Sequence, residues 1–155
     1  FSDKTGTLTQ NVMEFMRCSI LGETFGTLGS AGFTEGRELI KSKLQKAGPE
    51  EKAAIERFWE ILGVCHTVVA SDHEASANKS GKKYEAESPD EQALVQAAAD
   101  MDWAFEGRTG STMKVKRSGG SIVTYEHMAE NKFDSVRKRM SVVVKHGDKY
   151  LLLAK

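Results

Sequence analysis

The polar segment at residues 3–9, D-K-T-G-T-L-T, carries side chains suited to phosphoryl transfer. The carboxylate of Asp3 is a competent nucleophile toward phosphorus, and its attack would form an aspartyl-phosphate that divides one displacement into two. The ammonium of Lys4 would offset phosphate charge, and Thr5 would offer a carbonyl oxygen to Mg²⁺. Gly6 lets the main chain come close to a phosphate. A generic D-K-T triplet is more often an ordinary polar loop, so this prediction depends on all seven residues together.

The positions around Glu91 and Phe133 have ordinary structural interpretations. Glu91 follows Ser88 by three residues, which is the spacing of a capping box at a helix start and is worth about 1 kcal/mol to the helix. Phe133 precedes a strand-like run, where a phenylalanine usually joins the core. The charged run at residues 137–139 is typical of a solvated face, and strand alternation would direct Arg137 and Arg139 to one side. We therefore leave that run out of the predicted site.

Two other kinds of site are disfavoured by spacing. Cys65 and His66 are adjacent, and two neighbours cannot form a zinc site without partners at ligand spacing. The remaining cysteine and histidines are scattered, namely Cys18, His73, His127 and His146. The glycine-rich residues 21–37 lack the G-x-x-x-x-G-K-[ST] pattern, so they do not form a P-loop.

The first half of the chain is predicted to contain one strand and two helices. Residues 12–20 mix apolar residues with single charges and predict a strand, and the glycines of residues 21–37 predict a mobile connection. Residues 38–46 predict a short helix. A second helix begins at Pro49, and its apolar residues recur every three or four positions to give one core-facing side: Ile55, Phe58, Trp59, Leu62 and Cys65.

The second half predicts one helix followed by a run of strands. Residues 71–83 are polar and predict a surface loop, and Ser88 caps a helix that begins at Pro89 and runs to about Met101. Strand patterns follow at residues 103–109, 113–117 and 121–127, and then a hairpin at 137–145 and 149–154. This order predicts an α+β fold with a mainly antiparallel β-sheet flanked by helices.

Composition limits the class of protein. The 155 residues carry 22 basic and 22 acidic side chains, so the net charge is zero and a strongly basic nucleic-acid binder is excluded. Two cysteines supply no disulfide framework. The uncharged residues 61–71 fall short of the roughly 18 that a membrane-spanning helix needs. Because both ends look like cuts through ordered sequence, we expect a piece of a larger protein.

The motifs resemble those of the P-type ATPases, and within them the phospholipid-transporting (flippase, type IV) subfamily. The heptad at residues 3–9 looks like the phosphorylation signature of the family. The flippase subfamily is suggested by further stretches in family order: T-Q-N-V-M at 9–13, C-H-T-V at 65–68, S-P-D-E-Q-A-L-V at 88–95 and F-D-S-V-R-K-R-M-S-V at 133–142. Lys155 stands where the lysine of the family's K-G-A motif would begin.

The resemblance assigns roles to individual residues. It implies that Phe133 stacks on adenine, with about 1–3 kcal/mol by analogy with other base–aromatic contacts. It places Glu91 where it accepts from the adenine amine, a role compatible with capping, and Ser135 and Lys155 beside the nucleotide. Asp3, Lys4 and Thr5 would meet the phosphates, with Asp3 as the phosphorylated residue and with Mg²⁺ held by Asp3 and Thr5.

The resemblance also implies the setting of these residues. Residues 1–9 would be the phosphorylation loop, at the edge of a phosphorylation domain, and residues 10–155 a C-terminally truncated nucleotide-binding domain. This domain would lie in the cytosol, within an integral membrane protein that couples ATP hydrolysis to phospholipid flipping toward the cytosolic leaflet. The fragment itself would be soluble, bind ATP and not turn it over. The lipid, the membrane and any accessory subunit of the parent stay open, and no nucleic-acid partner is expected.

Three alternatives remain at this point. A cation-transporting P-type ATPase would share the heptad but is not expected to carry S-P-D-E together with R-K-R-M. A non-catalytic interaction module would have lost nucleotide binding, against which the presence of Glu91 and Phe133 argues. A soluble phosphatase with the same aspartate chemistry would tend to carry D-x-D, whereas Thr5 stands two residues after Asp3.

Overall fold

The first half of the chain forms a small hairpin and two helices. The computed structural model describes residues 3–4, 9–29, 31–72 and 81–155. Strands β1 (Cys18–Ile20) and β2 (Glu23–Phe25) pair antiparallel. Helices α1 (Thr34–Lys46) and α2 (Pro49–Val64) follow. Gly48 precedes α2 and Pro49 is its first residue, as predicted, because proline lacks an N–H that the first turn would leave unpaired.

The described residues of the second half form one α-helix, a short 3-10 helix (Ser118–Gly120) and seven strands. Strands β3 (Val69–Asp72) and β4 (Lys82–Glu85) form an antiparallel pair, and helix α3 (Pro89–Asp100) comes next. Five strands then make one antiparallel sheet in chain order: β5 (Ala104–Thr109), β6 (Thr112–Lys116), β7 (Ile122–Asp134), β8 (Arg139–His146) and β9 (Lys149–Ala154). Together with the helices, this sheet confirms the predicted α+β class.

The core lies between α2 and the large sheet. Trp59 and Ile55 of α2 are fully buried. The large sheet contributes further buried residues from β6, β7 and β8: Met113, Val115, Tyr125, Val142 and Val144. The Tyr125 hydroxyl donates to Glu60 Oε1 at 2.8 Å, which gives this partly apolar interface one satisfied polar pair. The apolar face predicted for α2 is therefore the face that packs toward the sheet.

Several predicted boundaries were wrong. Residues 12–17 lie outside any strand, so only β1 remains of the strand predicted over residues 12–20, and the stretch predicted as a mobile connection contains β2 and the first turn of α1. The stretch predicted as a surface loop contributes β3 and β4 at its two ends, and its residues 73–80 lie outside the described residues. Lys138 adopts a left-handed φ of 55° in the β7–β8 turn, so strand alternation does not extend over Arg137 and Lys138. In each case the boundary of the element depends on which segments of the chain pair with each other, and no local pattern encodes that pairing.

Across the described residues, no helix is both long enough and apolar enough to cross a membrane.

Candidate functional site

A cleft of about 860 Å³ opens where the start of α3 meets the large sheet. Its walls are the segment after α2, the first turn of α3, and parts of β5, β7 and β8. Three of the residues singled out in the sequence line it, namely Glu91, Phe133 and Lys155. They are separated by 42 and 22 positions along the chain, so only the fold brings them together.

Glu91 forms hydrogen bonds with Ser88 at its main chain and with Thr67 at its carboxylate, and the carboxylate does not complete a capping box. The Ser88 hydroxyl oxygen accepts from the Glu91 N–H at 3.1 Å, as expected for an N-cap. The Glu91 carboxylate, however, turns to Thr67: Oε1 accepts from the Thr67 N–H at 3.2 Å, and Oε2 accepts from the Thr67 hydroxyl at 3.0 Å. Only 12% of the Glu91 side chain is exposed. The carboxylate is thus fixed at the edge of the cleft instead of closing the helix end.

Lys155 is held at the opposite end of the chain by both main chain and side chain. Its N–H donates to the Met140 carbonyl at 3.0 Å, and its own carbonyl accepts from the Met140 N–H at 2.9 Å. Its Nζ lies 3.5 Å from Glu91 Oε1, and 14% of the side chain is exposed. Burial lowers the pKa of Lys155, and the negative charge of Glu91 opposes that shift. The ion pair holds the Lys155 ammonium at the cleft.

Phe133 presents its ring to the open side of the cleft. It lies near the end of β7, where β7 and β8 pair through Asp134 and Arg139. The residue is 66% exposed, so the structural alternative of a core phenylalanine is wrong. An exposed aromatic ring beside a partly apolar cleft can stack on a flat ligand.

The main chain that leads into the lining residue Thr67 is anchored by the side chain of His66. His66 is fully buried; its Nδ1 accepts from the Val68 N–H at 3.1 Å and its Nε2 donates to the Gly63 carbonyl at 3.0 Å. Burial, followed by the positive charges of Lys155 and Arg108, lowers the pKa of His66 to about 3, so the ring is neutral at physiological pH. The Arg108 guanidinium donates to the His66 carbonyl at 2.5 Å. These bonds fix the main chain that leads into Thr67.

Other predicted residues lie elsewhere. Ser135 is exposed in the β7–β8 turn and does not line the cleft; the turn is instead closed by Asp134, whose Oδ1 accepts from the N–H groups of residues 136 and 137. Asp3 and Lys4 are exposed, and the Lys4 carbonyl accepts from the Thr9 N–H and hydroxyl at 3.2 Å. The described part of the chain does not place Asp3 or Lys4 on this cleft. Thr5 lies outside the described residues.

Metal ligands are sparse in the described ranges. Among those residues no group of three His, Cys, Asp or Glu side chains could hold a metal ion. Of the two predicted Mg²⁺ ligands, only the carboxylate of Asp3 belongs to the described residues. One carboxylate falls short of the six-coordinate oxygen shell that Mg²⁺ prefers, so the described residues alone do not fit the ion.

Several lining residues were missed by the sequence reasoning, among them Thr67, Arg108 and Lys132. Thr67 belongs to the C-H-T-V stretch, which drew attention only as a resemblance. Arg108 falls in a strand pattern whose register the sequence leaves undefined, because β5 carries an irregularity between Phe105 and Gly107. Lys132 stands directly before Phe133, and this adjacency is the sequence signal that could have identified it.

This chain is similar to known proteins over most of its length. The family model for the P-type ATPase, cytoplasmic domain N, matches residues 54–155. Phospholipid-transporting ATPase ID of Homo sapiens is 38% identical over 96% of this chain, and phospholipid-transporting ATPase IK of Mus musculus is 37% identical over 96%. Phospholipid-transporting ATPase 10 of Arabidopsis thaliana is 36% identical over 99% of the chain. The chain spans 14%, 12% and 16% of these relatives, respectively.

Proposed function

Because this chain belongs to the P-type ATPases of the phospholipid-transporting group and matches their cytoplasmic domain N over residues 54–155, we propose that its cleft binds the adenosine part of ATP. The observation that carries the proposal is the meeting of Glu91, Phe133 and Lys155 in one cleft. A stacking ring, an acceptor edge and a cation are the groups that an adenine nucleotide needs.

The walls suit a flat, partly apolar ligand. The Phe133 ring offers one stacking face, and apolar side chains of Val68, Leu94 and Met140 line the same cleft. The fixed Glu91 carboxylate offers an acceptor to an exocyclic amino group, and Lys155 supplies positive charge. Such a site binds by shape and stacking, with a few polar groups that set orientation.

In the parent protein, we propose that residues 1–9 are the phosphorylation loop and residues 10–155 the nucleotide-binding domain. A carboxylate oxygen of Asp3 would attack the γ-phosphorus of ATP, the bond to the β,γ-bridging oxygen would break, and ADP would leave. Lys4 would offset phosphate charge at that loop, and Ser135 would reach the nucleotide only from the exposed turn. Asp3 and Thr5 stay the predicted Mg²⁺ ligands, and no step is assigned to the ion because the described residues do not complete its site.

The relatives are named for phospholipid transport, and we extend that activity to the parent of this chain. Phosphorylation and dephosphorylation of Asp3 would drive phospholipid toward the cytosolic leaflet of a membrane, with this domain on the cytosolic side. The 155-residue chain would bind ATP without sustained hydrolysis. Steady ATP hydrolysis by the pure chain that disappears in Asp3→Asn would contradict that expectation.

A titration of ATP followed by two-dimensional NMR tests the nucleotide site. We expect saturable shifts at Glu91, Phe133 and Lys155, and we expect Phe133→Ala to weaken binding by about 5- to 150-fold, since stacking is worth about 1–3 kcal/mol. Val136→Ala is the matched control, because Val136 lies in the adjoining turn, is 89% exposed and does not line the cleft. Absence of shifts at millimolar ATP in a folded sample would refute the site and favour a non-catalytic interaction module.

A further inference from the structure

Thr67 holds the Glu91 carboxylate at both oxygens. Its N–H donates to Oε1 at 3.2 Å and its hydroxyl donates to Oε2 at 3.0 Å, so one residue fixes the plane of the carboxylate. Thr67 itself lines the cleft, and it follows the rigid stretch anchored by His66. Because the Glu91 side chain is only 12% exposed, water competes little for these bonds. The pair therefore presents a preformed polar edge to whatever enters.

The number of further hydrogen bonds that the Glu91 carboxylate can accept follows from the donors it already has. A carboxylate oxygen accepts about two hydrogen bonds. Among the described residues, Oε1 receives two donors, the Thr67 N–H and the Lys155 ammonium, whereas Oε2 receives only the Thr67 hydroxyl. That hydroxyl has given its single proton to Oε2, so its oxygen can only accept further bonds. Oε2 and Thr67 Oγ1 thus form two neighbouring acceptors, 3.0 Å apart, with no proton to offer.

We propose that Thr67 sets the base selectivity of the cleft in favour of a 6-amino purine, by orienting Glu91 and by adding its own hydroxyl oxygen as a second acceptor. An amino group carries two protons, and at about 2.9 Å from both oxygens it would donate one to each through bent bonds. A purine with a carbonyl at position 6, bound in the same position, would place its oxygen against these two acceptors and supply no donor to either at that point, which buried polar sites reject strongly. This inference rests on the proposed nucleotide site.

Lys155 is the cation in contact with this edge, and it could weaken such selectivity. Its ammonium carries three protons and gives one to Glu91 Oε1, so a 6-carbonyl could accept another if it reached Nζ. That contact lies on the Oε1 side of the carboxylate, however, whereas the two acceptors that face an incoming base are Oε2 and Thr67 Oγ1. The arrangement accordingly favours the amino purine even though a cation is present.

The test compares ATP with inosine triphosphate, which carries a carbonyl in place of the 6-amino group. Dissociation constants for both are measured by the same NMR titration on the 155-residue chain. We expect the chain to prefer ATP by at least about tenfold, which corresponds to about 1.4 kcal/mol. Thr67→Val keeps the shape and the main-chain N–H but removes the hydroxyl, and it should reduce that preference by about fivefold or more. Thr67→Ser should restore the preference to within about twofold of the original, since it returns the oxygen.

Thr109→Val is the matched control, because Thr109 is exposed at the end of β5 and does not line the cleft. If Thr67→Val does not fold, Thr67→Ala removes the same hydroxyl and gives the same readout. An unchanged ratio in a folded Thr67→Val or Thr67→Ala chain would overturn the role of Thr67, as would equal affinity for the two nucleotides in the original chain. Failure of the proposed function looks different, because neither nucleotide would then shift Glu91 or Phe133.

Discussion

Acidification should destabilise the fold through His66. The ring is fully buried, Nδ1 accepts from Val68, and Nε2 donates to Gly63, so a proton on Nδ1 would displace the Val68 bond. The pKa of His66 is lowered from 6.5 to about 3, chiefly by burial. The unfolded chain therefore binds a proton between these values while the folded chain does not. The stabilisation is complete above about pH 6.5 and is lost as the pH falls toward 3, at about 1.4 kcal/mol per pH unit.

Urea unfolding at two pH values measures this effect. The free energy of unfolding is compared for the original chain and His66→Gln, which cannot titrate. Between about pH 7.5 and pH 5 the difference between the two should shrink by about 2 kcal/mol, because the unfolded histidine gains its proton in that interval. Carboxylates titrate in both proteins and cancel in the comparison.

His146→Gln is the matched control, since His146 is exposed at the end of β8. It measures how a histidine-to-glutamine exchange at an exposed position changes the free energy of unfolding at the same two pH values. A difference between the original chain and His66→Gln that stays constant within about 0.5 kcal/mol from pH 7.5 to pH 5 would refute a neutral, buried His66.

Two substitutions, with a third as a control, test how the sequence builds the start of α3 and the β1–β2 hairpin. Ser88→Ala removes the N-cap that accepts from the Glu91 N–H, and it should lower stability by about 1 kcal/mol and the thermal midpoint by about 2–4 °C, as followed by circular dichroism; an unchanged midpoint would mean that the cap contributes nothing. Gly26→Ala should cost about 3 kcal/mol in urea unfolding, because Gly26 has a φ of 94° and a Cβ there would lie 2.3 Å from the Met16 carbonyl oxygen. Gly22→Ala, with a φ of 80° and open space around it, should cost only about 1 kcal/mol, and equal losses at both glycines would contradict the steric argument.

Local chemistry allowed the sequence to predict the helices with strong end signals. Pro49 and the Ser88–Pro89 pair marked the starts of α2 and α3, and both helices begin there. Alternation and turn glycines predicted all five strands of the large sheet, although β7 extends seven residues beyond its predicted end because β8 pairs along it. Weakly patterned strands such as β2 and β3 were misjudged, since their partners rather than their own residues make them strands.

The sequence by itself determined the fold class, the family and the identity of the chemical groups, because residue types and short spacings carry that information. Only the tertiary structure decided how those groups are used. It turned Glu91 from a helix cap toward Thr67, paired it with Lys155 from the far end of β9, and exposed the Phe133 ring. It also left Ser135 outside the cleft. Contacts between residues tens of positions apart depend on strand pairing and helix packing, and no local pattern specifies them.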